Sequence, residues 1–91
     1  MSVPARMTPQ TLAVLAVFAN DPTAEHYGLE IARATGLKAG TVQPILDRFA
    51  GQLWLQSRWE PGDPETLGRA RRLLFKLTAI GRRRVAAISK I

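Results

Sequence analysis

The stretch GLEIARATGLKAGTVQPILDRF, Gly28 to Phe49, reads as two short helices joined by a turn. In its second part, from Ala39 to Gly51, Val42, Ile45, Leu46 and Phe49 recur at i, i+3, i+4 and i+7, one apolar stripe of helical period turned towards a core. The opposite side carries Gly40, Thr41, Gln43, Pro44 and Asp47, with Arg48 flanking. Its first turn is small and polar enough to come close to a duplex, and in helix-turn-helix proteins that turn touches base edges. In the first part, Gly28, Ile31, Ala32 and Thr35 share a face, and Gly36 stands where the helix needs a left-handed ending. Gly36, Leu37 and Lys38 then make the turn. Pro44 removes a backbone donor and is expected to bend the second helix.

Around this stretch the composition sets limits. The 91 residues, 46% of them hydrophobic, suffice for one domain, taken as 1–91, and not for two. Without cysteine there is neither a disulfide framework nor a thiolate metal site, which points to a reducing cytoplasm. No apolar run has the length of a membrane span, and Met1 to Met7 lacks the apolar stretch of a signal peptide. His26 is the sole histidine, the seven acids are scattered, and no glycine-rich phosphate loop occurs, so neither an enzyme, a metal site nor a cofactor is expected. The net charge of +6 calls for an anionic partner. Eight of the thirteen Lys and Arg lie from Arg69 onward, with no acid after Glu65, so the second half should face that polyanion.

Working outward, Thr8 and Pro9 signal the start of a helix reaching about Asn20, with Met7 able to staple onto Leu12. Leu12, Leu15, Ala16 and Ala19 make one face. Val14, Val17 and Phe18 make a second, which, with Val85 and Ile88 of the last helix, is expected to pack on another copy in a homodimer. His26 is expected at the surface or capping a helix, and Glu30 and Arg33 are spaced to pair. Leu53, Leu55, Ser57 and Trp59 alternate with Trp54, Gln56, Arg58 and Glu60, the period of a strand with one face inward, and Leu73, Phe75 and Leu77 against Arg72, Leu74 and Lys76 give its mate. Between them, Pro61-Gly62-Asp63-Pro64 and Gly68 suit an extended loop and not a helix. The result is a wing at about 55–77 whose Arg69, Arg71 and Arg72 reach phosphates. Thr78 caps a last helix at about 79–90, with Ile80, Val85, Ala87, Ile88 and Ile91 on an apolar arc. The fold class is α+β, mainly helical: a winged helix-turn-helix of three helices, a two-stranded wing and one C-terminal helix.

Four segments also match a known pattern: Tyr27-Gly28-Leu29-Glu30-Ile31, Gly40-Thr41-Val42-Gln43-Pro44-Ile45-Leu46, Ser57-Arg58-Trp59-Glu60, and Lys76-Leu77-Thr78 with Gly81 behind it. Over residues 8 to 90 this resembles the PadR family of winged-helix transcription regulators, in a short form without the C-terminal helical domain of many members. The resemblance implies a dimeric bacterial repressor, cytoplasmic and nucleoid-associated, that binds double-stranded DNA by sequence. Lys38, Gly40, Thr41, Pro44 and Arg48 would line the DNA face, and Gln43 would offer its amide to an adenine. A small aromatic effector is a further implied partner, with Trp54 or Trp59 lining its pocket, against a plainer role for both in sheet packing. The sequence departs from the family pattern at Lys38, Gln43 and Leu53, where members usually carry Ser, Tyr and Gly. Two other functions fit the same residues. One is an architectural DNA-binding factor that directs recombination of a mobile element. The other is a winged helix used for protein interaction, for which the Asp47 charge on the outer face speaks.

Overall fold

Thr8 starts the first helix, α1 (Pro9–Asn20). Its Oγ1 accepts the Thr11 N–H at 3.2 Å, and Pro9 takes an early position that needs no donor. The computed structural model describes residues 7–89, and the expected helix end at residue 90 lies, with Ile91, outside them. After α1 come β1 (His26–Tyr27), α2 (Gly28–Thr35), α3 (Ala39–Gly51), β2 (Leu55–Trp59), α4 (Pro64–Leu67), β3 (Leu73–Leu77) and α5 (Ala79–Ser89). Glu30 closes the α2 N-terminus by accepting the Tyr27 N–H at 3.2 Å, and Gly36 ends α2 at φ 77°, the left-handed value a glycine takes without strain. The three strands form an antiparallel sheet in the order β1-β3-β2, with Ser57 opposite Phe75 and Leu55 opposite Leu77. One core joins the layers: Val14 and Phe18 of α1, Ile31 of α2, Val42, Leu46 and Phe49 of α3, and Phe75 and Leu77 of β3 are all buried. This is the α+β winged helix-turn-helix expected, with α5 returning across α1.

Several local expectations are corrected. Val14 and Phe18 are not a spare face of α1: both have 0% exposure, in the core that α1 shares with α2, α3 and α5. The sheet has a third strand, since His26 and Tyr27 pair with Phe75 and Leu74. His26 is therefore buried, its ring edge-on to Phe18 at 5.1 Å between centroids and its Nδ1 3.0 Å from Glu30 Oε2. Glu30 is thus spent on α2's start and on His26, with no ion pair to Arg33. The wing loop contains a helical turn, α4. Asp63 Oδ1 accepts the Glu65 N–H at 3.1 Å, Pro64 fits the first turn, and Gly68 at φ 74° ends it.

Leu53 is neither strand nor inward. It sits at φ 65°, the described non-glycine residue with positive φ, and is 63% exposed, while Trp54 and Leu55 are both buried. The α3 C-terminus explains this. The Trp54 N–H donates to Phe49 O at 3.0 Å and the Leu53 N–H to Ala50 O at 3.1 Å, with the Phe49 and Trp54 rings 4.8 Å apart. That is a Schellman ending with its hydrophobic contact, and its left-handed position usually holds glycine. Leucine is strained there by about 1–2 kcal/mol. Leu53→Gly is expected to raise stability by about 0.5–1 kcal/mol, after the entropy that glycine loses on folding. Urea denaturation checks this, and a variant less stable than the parent would show that the Leu53 side chain contributes packing its exposure hides.

Candidate nucleic-acid interface

The buried stripe of Val42, Ile45, Leu46 and Phe49 fixes how α3 is turned, and so which residues it presents outward. Gly40, Thr41, Gln43, Pro44 and Asp47 are all exposed, with Lys38 exposed ahead of them as the residue preceding the helix. Gln43 Nε2 donates to Asp47 Oδ1 at 2.9 Å, one turn along. Gln43 Oε1 lies over α2, so close that a Cβ at Gly28 would meet it at 3.4 Å. The i, i+4 spacing that makes the Gln43–Asp47 pair is visible in the sequence.

Arg48 does not belong to this face. It is half-buried, its Nη2 donates to Thr11 Oγ1 at 3.1 Å, and its guanidinium lies 5.2 Å from the Phe49 ring centroid. One residue beyond Asp47, its side chain swings round the helix towards α1, where Thr11 is itself buried. Arg48 therefore ties α1 to α3.

The wing arginines divide as the sequence alone does not reveal. Arg69 grips Glu60 with both terminal nitrogens, at 2.6 and 2.9 Å, and the Arg72 N–H also reaches Glu60 Oε1 at 3.2 Å. The Arg72 guanidinium stacks 4.0 Å from the Tyr27 ring centroid. Of the three, Arg71 is exposed and makes no hydrogen bond or ion pair among the described residues. Arg58 is likewise engaged, donating to Glu25 at 2.5 and 2.7 Å across the sheet, and it holds the Glu25 carboxyl below its ordinary range. Over 55–77, Glu60, Asp63 and Glu65 offset three of the five cations, Arg58, Arg69, Arg71, Arg72 and Lys76, and the wing keeps a net charge of +2.

The paired Arg69 guanidinium, helped by the Arg72 N–H, pulls the Glu60 pKa down to about 2 from 4.5. A lowered carboxyl pKa means the clamp is fully formed above about 4.5 and is lost as pH falls through about 2. The Glu60 carboxyl resonance is expected to titrate near the lower value, and Arg69→Ala to return its midpoint towards 4.5. A midpoint near 4.5 in the parent would show that the pair does not persist in solution.

Elsewhere, Val85 is buried and Val17 and Ile88 are partly so, beside a cleft of about 80 Å³ lined by Leu12, Leu15, Ala16, Ala19, Val85 and Ile88. A second cavity of about 250 Å³ lies between Ala19, Pro22, Leu77, Arg82, Val85 and Ala86. Neither is lined by a tryptophan: Trp54 is buried against Phe49, and Trp59, at the end of β2, is 61% exposed. On α5, Arg82, Arg83 and Arg84 are exposed. Among the described residues, no three His, Asp or Glu side chains come together as metal ligands, and no helix is long and apolar enough to cross a membrane.

No protein-family model matches the chain, and no curated protein does. Solved structures do. BpsR of Bordetella bronchiseptica, whose DNA binding is regulated by 6-hydroxynicotinic acid, matches with a TM-score of 0.74 and 20% identity, over 97% of this chain and 58% of that one. AbfR in its overoxidized form bound to DNA matches at 0.72 and 20%, over 92% and 56%. A variant of E. coli MarR matches at 0.71 and 20%, again over 92% and 56%. The chain thus spans a little over half the length of these proteins. At such identities the likeness is one of fold alone, that of a winged helix.

Proposed function

We propose that the chain is a sequence-specific regulator of transcription that binds double-stranded DNA, with α3 in the major groove and the wing alongside it. The observation that carries this reading is the outer face of α3. It is small at Gly40 and Pro44, polar at Thr41 and Gln43, introduced by Lys38, and held in place by a buried stripe and the Arg48–Thr11 tie. Such a face suits close approach to base edges, and phosphate contacts beside it set the register. The fold shared with BpsR and AbfR, one regulated in its DNA binding and one seen bound to DNA, supports it. The finer assignment is a repressor of PadR type, and it rests on Gly40-Thr41, Pro44-Ile45-Leu46 and Ser57-Arg58-Trp59-Glu60. The chain would act as a cytoplasmic homodimer through the α1/α5 cleft, where Leu12 is 40% exposed. The 250 Å³ cavity is the better place for a small effector.

The test is binding to duplexes drawn from DNA upstream of the chain's own reading frame, over a range of salt concentrations. Affinity should fall steeply with salt, and Arg71→Ala should lower the slope by about one unit, because each phosphate contact releases about one counterion. Arg69→Ala should change the slope less, its guanidinium being held by Glu60. Weak binding without salt dependence would overturn the DNA reading in favour of a protein-interaction module.

A further inference from the structure

Asp47 lies along the middle of the outer side of α3 with Gly40, Pro44 and Gly51, at helical spacings of three and four residues. None of those three has a hydrogen-bonding side chain, so along this line Asp47 and its partner Gln43 supply the polar groups, with Thr41 and Lys38 exposed to the side and ahead of it. A carboxylate only accepts, so the Gln43 amide must turn its nitrogen to Asp47 and its oxygen towards α2. What remains open on Asp47 is its second oxygen and spare lone pairs. On Gln43 one N–H and the oxygen remain. The pair is therefore rich in acceptors and carries a negative charge, in a position that repels a phosphate backbone. Such a charge costs affinity on every duplex and is compensated only where a base donates to it.

Resting on the DNA reading above, we propose that Asp47 is the specificity-determining residue of α3: positioned by Gln43, its carboxylate accepts from the N4 amine of a cytosine in the major groove. Cytosine fits best because its major-groove edge offers the amine alone. Adenine sets the N7 acceptor beside its amine, guanine presents two acceptors, and thymine an acceptor and a methyl group. The charge works by exclusion as much as by attraction, since a wrong base leaves the carboxylate desolvated and unpaired.

The experiment is selection of bound duplexes from a randomised pool at fixed salt, with the parent chain, Asp47→Ala, Asp47→Asn and Gln43→Ala. The parent should favour cytosine at one position by roughly tenfold or more. Asp47→Ala should flatten that position alone, and it should bind random duplex more tightly because an anion has left the face. Asp47→Asn should shift the preference to adenine, whose N6 and N7 match a carboxamide. Gln43→Ala should blur the cytosine preference less than Asp47→Ala does. Unchanged melting of the variants confirms folding, as expected for exposed residues whose side chains hydrogen-bond each other. Asp47→Ala keeping the cytosine preference, or losing preference evenly at all positions, overturns the assignment while leaving the DNA reading intact. A parent chain that enriches no duplex overturns the DNA reading itself, and the assignment with it.

Discussion

Gly81→Ala is expected to destabilise the fold by about 2–3 kcal/mol, although alanine is the better helix former by about 1 kcal/mol. A Cβ at Gly81 would stand 2.0 Å from Trp54 O and 2.8 Å from Trp54 C, with Leu77 Cδ2 at 3.1 Å. The first two are backbone atoms and cannot rotate away. Nor is Trp54 O free to shift, because it accepts the Thr78 N–H at 2.9 Å while the Thr78 hydroxyl donates to the neighbouring Leu53 O at 2.6 Å. Thr78 Oγ1 accepts the Gly81 N–H at 2.9 Å in turn, so the helix cap and the missing Cβ together dock α5 on the end of α3. An added methyl group must push α5 outward, taking Val85 and Ile88 off α1. For a chain of this size the whole stability is about 5–14 kcal/mol, so the loss is a large fraction of it. Urea denaturation measures it. A loss below about 0.5 kcal/mol, the level of a neutral surface change, would mean that α5 slides without penalty.

The elements legible in the sequence are those whose signal is local. Thr8-Pro9, Gly36 and Thr78 announce helix ends through a hydroxyl, a left-handed position and a hydroxyl again, and the structure uses each in that way. The α3 stripe needed only periodicity. What escaped depends on partners far along the chain. A two-residue strand such as β1 has no periodicity to detect, and it exists because β3 offers an edge. The wing arginines read as free cations until β-pairing brings Glu60 beside Arg72, which gathers Arg69 and Arg72 around one carboxylate. The outer face of α3 loses Arg48 for the same reason. Arg48 turns inward because Thr11, 37 residues earlier, offers a buried oxygen. The departure at Leu53 was visible as a residue type, but that it strains a Schellman ending follows only from its φ.

Phe18→Ala separates an interface role for α1's second face from a place in the protomer's own core. As an interface residue it would weaken association and leave each protomer's fold alone. As found, Phe18 has 0% exposure and packs against the edge of His26, which in turn meets Glu30 at the start of α2. Removing a buried phenylalanine side chain costs about 3–5 kcal/mol, because the space it leaves is only partly refilled. Here that would also loosen the junction of α1, β1 and α2 on which α3 is seated. Melting followed over a hundredfold range of protein concentration gives the test. The drop in midpoint should be about 12–40 °C, from roughly 4–8 °C per kcal/mol for a domain of this length. It should be the same at every concentration, since mass action touches only interactions between copies. Sedimentation of the parent then addresses dimerisation separately, through Leu12 and Ile88 at the α1/α5 cleft. A Phe18→Ala chain that melts like the parent when dilute, and differs only when concentrated, would return Phe18 to the interface and require α1 to rotate about its axis in solution.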